Sequence, residues 1–151
     1  MRSPDDVHET HAGARAPRGA VHHVEVWFTD LARAERSWGW LLGSLGYART
    51  REWAGGCAWS LDGAPGGASV VLESGPDVAD APHDRRRPGV NHLALHAGTP
   101  AEVDALVREA PAHGWTLLFA DRHPYAGGPD HYAAYLEDAE GLEVELVAAA
   151  A

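Results

Sequence analysis

The chain has 151 residues, 45% hydrophobic and 23% charged, enough for one domain or two very small ones around a real core. Its formal net charge is −10 and all twelve basic residues are arginines, so a Schiff-base lysine is excluded and an electrostatic footprint for nucleic acid is missing. No stretch approaches the ~20 apolar residues of a membrane span, and the single cysteine, Cys57, excludes an internal disulfide and suits a reducing cytoplasm.

Residues 1–20 mix Asp, Glu, Arg, Pro and Gly without an apolar run, which reads as a disordered tail rather than a secretory signal. From Val21 to Phe28 valines alternate with other residues, predicting a strand. Asp30 then stands at an N-cap position, and Leu31, Ala34, Trp38, Leu41 and Leu45 form one apolar stripe of a helix closed by Gly46. Short strands are expected at 48–53, 58–61 and 69–73, divided by the turn clusters "AGG" and "DGAPGG". Cys57 reads as a small strand residue, since a nucleophile would need an activating partner.

A polar, proline-containing linker covers 75–89; its arginine run, Arg85 to Arg87, reads as a solvated loop. "VNHLALHAG" predicts another strand, and Thr99, Pro100 and Glu102 spell a capping box with proline at the first helical position. Val103, Leu106, Val107 and Ala110 continue the apolar face until Pro111. Three more strands are expected at 115–120, 132–137 and 142–147. Strand, helix and three strands therefore occur twice, with modules at 21–74 and 90–148. His92 follows His23 by 69 residues, and the caps Asp30 and Thr99 show the same offset. Such an offset marks a duplicated unit that buries its apolar face against its copy. The fold class expected is α+β: two βαβββ modules, each with one helix backing a four-stranded sheet.

Alternation puts His23, Glu25 and Trp27 on one face of the first strand, and Val24 and Val26 on the other with His22. In the repeat, His92, Ala94 and His96 oppose Leu93 and Leu95. The valine and leucine faces belong under the helices, so His23 and His92 look the other way, into the space the sheets enclose. On the last strand of each half, Glu73 and Glu145 match at an offset of 72, close to that of the histidines. Two imidazoles and two carboxylates at duplicated positions suit a divalent ion and leave coordination sites for substrate. A lone strand histidine is more often simply hydrogen-bonded, but two buried carboxylates without compensation would be costly.

The segments "HHVEVWFTDLARAERSWGWLLGSLGY", "NHLALHAG" and "YAAYLEDAEGLEVELV" resemble the vicinal oxygen chelate superfamily, which holds glyoxalase I, fosfomycin resistance enzymes, extradiol dioxygenases and bleomycin resistance proteins. The likeness covers about residues 21 to 148. In the closing motif Asp138, Gly141 and Glu145 match, while Ala139 replaces the usual proline. The resemblance implies paired βαβββ modules forming a half-barrel cleft, and it places His23, Glu73, His92 and Glu145 on the four metal positions of glyoxalase I. It further implies a divalent cofactor (Ni, Zn, Mn or Fe), a small-molecule substrate, and a homodimer in the cytoplasm. Glu145 or Glu73 would be the proton-moving carboxylate. Trp27, Glu25, His96, His131 and Tyr135 are candidate substrate contacts or partners orienting the ligands, although a hairpin loop with core aromatics explains His131 and Tyr135 equally well. His131 lies closer to Tyr135 than the second histidine of extradiol dioxygenases does to its tyrosine. Three functions compete at this point. One is a glyoxalase-like lyase or isomerase, with an extradiol-type dioxygenase as its alternative; another is a drug- or metabolite-sequestering protein of the bleomycin-resistance type; the third is a metal-free structural or regulatory domain.

Overall fold

The computed structural model describes residues 18–61 and 68–150. Nearly all of the expected tail, and the turn cluster at 62–67, lie outside them. Each half begins with a strand whose apolar alternation needs a helix to cover it. β1 (His23–Trp27) leads to α1 (Leu31–Ser44), where the Asp30 carboxylate accepts from Arg33 N at 2.9 Å and satisfies one of the first-turn amides. Gly46, at φ +87°, follows the last turn and lets the chain reverse. The chain continues as β2 (Tyr47–Trp53), β3 (Gly56–Leu61) and β4 (Ser69–Glu73), giving a sheet in the order β1-β4-β3-β2 with β1 parallel to β4.

The second half repeats this with β5 (Leu93–His96), α2 (Pro100–Glu109), β6 (Thr116–Leu118), β7 (Ala133–Glu137) and β8 (Glu143–Val147), in the order β5-β8-β7-β6. The capping box is complete, since the Thr99 hydroxyl accepts from Glu102 N and the Glu102 carboxylate returns to Thr99 N. Pro111 cannot extend α2, and a 3-10 turn over Ala110–His113 closes at Gly114. β6 stops two residues short of the expected end because Phe119 adopts φ +53° and turns the chain.

Both halves share one core. Phe28, Trp38, Leu41 and Leu72 pack in a single cluster with Val103, Trp115, Leu136 and Leu146, on the helix side of both sheets. Trp38 sits 5.3 Å from Trp115 between ring centroids, and each indole N–H finds a partner across the junction. Trp38 Nε1 donates to Asp138 at 2.9 Å, and Trp115 Nε1 to the Ser37 carbonyl at 3.1 Å. The Glu140 carboxylate, in the β7–β8 turn, accepts from Thr29 N and Asp30 N at 2.8 and 2.9 Å, so the second module caps the helix of the first. Cys57 is fully buried, and burial pushes its thiol up, as suits a packing residue.

One expectation fails at the start of β1. Because the strand begins at His23, parity does not carry His22 to the helix side. Its ring instead meets His23 edge-on, with the two Nδ1 atoms 2.9 Å apart, and lines the same cavity.

Candidate active site

Glu145 is a carboxylate in the middle of β8 with 6% of its surface exposed, so it must be compensated. Three side chains do this. His92, one residue before β5, brings Nε2 to 3.0 Å from Oε2, and His131, from the β6–β7 loop, brings Nε2 to 2.5 Å from Oε1. Tyr135, opposite Glu145 in the β7–β8 register, turns its hydroxyl toward the carboxylate. Burial pushes the carboxyl up, but the bonds from His131 and Tyr135 and the two nearby imidazoles outweigh it and hold Glu145 below its ordinary value. Tyr135 moves the opposite way, pushed up to about 12 by burial and by the carboxylate it faces. Its ring also meets His92 edge-on at 5.9 Å, and its hydroxyl lies so close to Gly127 that a Cβ there would come within 2.6 Å. The loop therefore depends on a glycine at 127 to seat His131 and Tyr135 together.

Register decides which residues of the first module correspond. In the second module Ala94 pairs with Glu145. At the repeat offset of 69 the counterpart of Ala94 is Glu25, and Glu25 pairs with Val71. Glu73 pairs with Trp27, whose counterpart His96 lies opposite Val147. The position matching Glu145 is thus held by Val71, and Glu73 is two residues farther along, roughly 7 Å away at strand rise. Parity could not reveal this, because Val71 and Glu73 share a face. Only the pairing register separates them.

Glu73 instead joins His22, His23 and Glu25 around a 250 Å³ cavity on the first sheet, floored by a hydroxyl ladder in which Thr50 meets Ser60 at 3.2 Å and Ser60 meets Ser69 at 2.8 Å. Glu25 accepts from Trp27 Nε1 at 2.6 Å, and half of the Trp27 surface is exposed. His96 lies elsewhere, lining a groove between the end of α1 and α2 with Ser44 and Glu102. Among the described residues, no three His, Cys, Asp or Glu side chains close on a point as an ion would require. The assembled part is His92–Glu145, whose donor atoms are near enough for one ion to take both. In the first module His23 and Glu73 both line the first-sheet cavity, and His23 offers an imidazole donor at the position that repeats His92.

Two features escaped the sequence reading. Arg85 is drawn from its loop to Glu143, with Nε 2.9 Å from Oε2, and its guanidinium also lies over Phe119. In addition, a cleft of about 310 Å³ opens at the module junction, lined by β1 residues and by residues 90–93, with His92 in its wall. Neither carries a local sequence signal, because the first arises from the linker folding onto the second module and the other from residues of both modules coming together.

Comparison with known proteins agrees with this architecture. Residues 22–135 match the model of the glyoxalase/bleomycin resistance protein/dioxygenase superfamily. The uncharacterized protein YqjT of Bacillus subtilis (strain 168) is 38% identical over 128 residues, covering 85% of this chain and 98% of that one. The crystal structure of a Bacillus halodurans protein provisionally designated a glyoxalase superposes with a TM-score of 0.79 at 37% identity, covering 87% of this chain and 97% of that one. The lactoylglutathione lyase of Agrobacterium tumefaciens shares the fold at 18% identity and a TM-score of 0.58, covering 88% and 96% of the two chains. With paired βαβββ modules and a family match over most of its length, the chain belongs to the glyoxalase/bleomycin resistance protein/dioxygenase superfamily.

Proposed function

We propose that the protein is a glyoxalase-like metalloenzyme that moves a proton on a small, oxygen-chelating substrate, with Glu145 as the carboxylate of its site. The observation that carries this reading is the buried Glu145 held between His92, His131 and Tyr135. A divalent ion would be held by His92 and Glu145 with His23 as third donor, and when bound it supplies a Lewis acid that polarises a substrate oxygen. Glu145 stays ionised at neutral pH because its pKa is lowered, so it is ready to accept a proton once substrate displaces one of its partners. His131 fixes the orientation of that carboxylate through Oε1, and the raised pKa of Tyr135 keeps its hydroxyl protonated as a donor toward developing negative charge. The acidic composition and the free edges of β2 and β6 fit a cytoplasmic homodimer.

Val71 favours a second reading. With a valine at the fourth position, the donors reduce to two histidines and one carboxylate, the set found in oxygen-using iron sites, which would make the protein a dioxygenase-type enzyme. Metal content after chelator-free purification, followed by assays with a methylglyoxal–thiol adduct and with a catechol under oxygen, separates the two. Bound metal and turnover of the adduct supports the first reading, and catechol cleavage the second. Bound metal without turnover of either would point to sequestration. Substoichiometric metal in wild type and His92→Ala alike, with no melting shift on adding Ni²⁺, Zn²⁺, Mn²⁺ or Fe²⁺, would sink the metalloenzyme reading.

A further inference from the structure

The junction cleft has a wall chemistry that selects its occupant. Val24, Val26, Trp27, Val90, Leu93 and Leu142 give it an apolar lining, with Trp27 and Val90 exposed at the mouth and His92 in the wall. Three carboxylates also border it, and each is already engaged. Glu25 accepts from Trp27 Nε1, Glu140 accepts from Thr29 N, Asp30 N and Arg33, and Glu143 is paired with Arg85. Among the described residues, neither arginine nor lysine lines the cleft. A peptide-like anionic carrier such as glutathione would find no arginine or lysine among the described lining residues, while Glu25, whose partner is the neutral Trp27 indole, would repel it in a site with low-dielectric walls. An uncharged apolar body would displace water from valine, leucine and indole surfaces without adding a charge that the walls cannot pair. Size narrows this further. A cavity of about 150 Å³ holds benzene, and this one, at about 310 Å³, is about twice that.

We infer that the cleft receives the uncharged, aromatic or bicyclic-sized apolar body of the substrate, with the oxygen-bearing end directed to His92. This rests on the proposed reading of His92 as part of the reacting site, and it makes the substrate a free apolar oxygen compound rather than a glutathione adduct. Stacking on the half-exposed Trp27 ring gives such a body an additional specific contact.

The test uses N-phenyl-1-naphthylamine, a neutral fluorophore that brightens in apolar surroundings, titrated into the full-length protein without added metal. Wild type should bind one equivalent saturably. Val90→Glu and Trp27→Ala alter exposed positions and should keep the wild-type melting temperature while weakening the probe about tenfold or more, because a charge or a lost stacking partner enters the cleft. Trp53→Ala, at the separate cavity of the first sheet, should leave the affinity unchanged. Equal affinity in the cleft variants, loss of binding in Trp53→Ala instead, no saturable binding, or displacement of the probe by equimolar S-hexylglutathione would each overturn the inference. Because the probe needs no ion, these outcomes are independent of metal occupancy, which tests the catalytic reading.

Discussion

The two modules are built alike and equipped differently. Each runs strand, helix and three strands, caps its helix with a side-chain oxygen, and turns apolar residues of its first and last strands toward the shared core. The second module places a buried carboxylate, two imidazoles and a phenol at one point on its open face. At the matching place the first module has Val71 beside a ladder of hydroxyls, and its histidines face each other rather than a carboxylate. The difference teaches that duplication preserved the packing faces, which both halves need to fold, while the open faces were free to diverge. The buried carboxylate and its partners are concentrated in the second module, and the first contributes β1 to the cleft wall.

The largest effect expected is on the shared core. Trp38→Ala should cost about 3–5 kcal/mol through the lost contacts and cavity, and because Trp38 packs on residues of both halves, calorimetry should still show a single transition. Two separated transitions in wild type would break the view that unlike modules fold as one unit. Next comes the Glu140 staple. Burial raises its pKa, but the Thr29 and Asp30 amides and Arg33 outweigh this and hold it below the ordinary carboxylate value. A depressed folded pKa means that the stability it adds is complete above the unfolded value and disappears as pH falls through the lower folded value. Glu140→Ala should therefore lose roughly 1–2 kcal/mol at neutral pH, and the gap to wild type should close in acid denaturation monitored by circular dichroism.

A smaller effect sharpens the comparison directly. Val71→Glu places a carboxylate where the second module has one, and it should tighten divalent-metal binding by about tenfold, at some cost in stability for a half-buried charge. Isothermal titration with Zn²⁺ or Ni²⁺ measures both strength and stoichiometry. Smallest is Ser60→Ala, which breaks the partly buried hydroxyl ladder of the first sheet and should cost about 1 kcal/mol or less in urea melts, without altering metal binding.

Most of the architecture was legible because it is periodic. The strand alternation, the Asp30 and Thr99 caps and the Gly46 stop are local signals, and they placed both helices and every strand to within two residues except at the start of β5, which begins at Leu93 rather than Val90. The offset of 69 between His23 and His92 was also readable, since few residues separate each histidine from its helix cap. Glu73 was harder to place. Between helix and last strand the halves differ in loop lengths, and β2 carries a register irregularity between Arg49 and Arg51. Counting residues therefore could not fix which residue of β4 stands opposite Glu25. His131 reaches Glu145 through a loop conformation that depends on Gly127, and the junction cleft exists only once one module packs on the other. Such features have no periodicity to read.

The account turns on Glu145 being the carboxylate of the site and Glu73 not, and a metal titration of two variants tests this. Glu145→Gln should lose divalent-metal affinity by about 100-fold or more, while Glu73→Gln should stay within about twofold of wild type. Equal losses in the two variants, or a larger loss in Glu73→Gln, would contradict it.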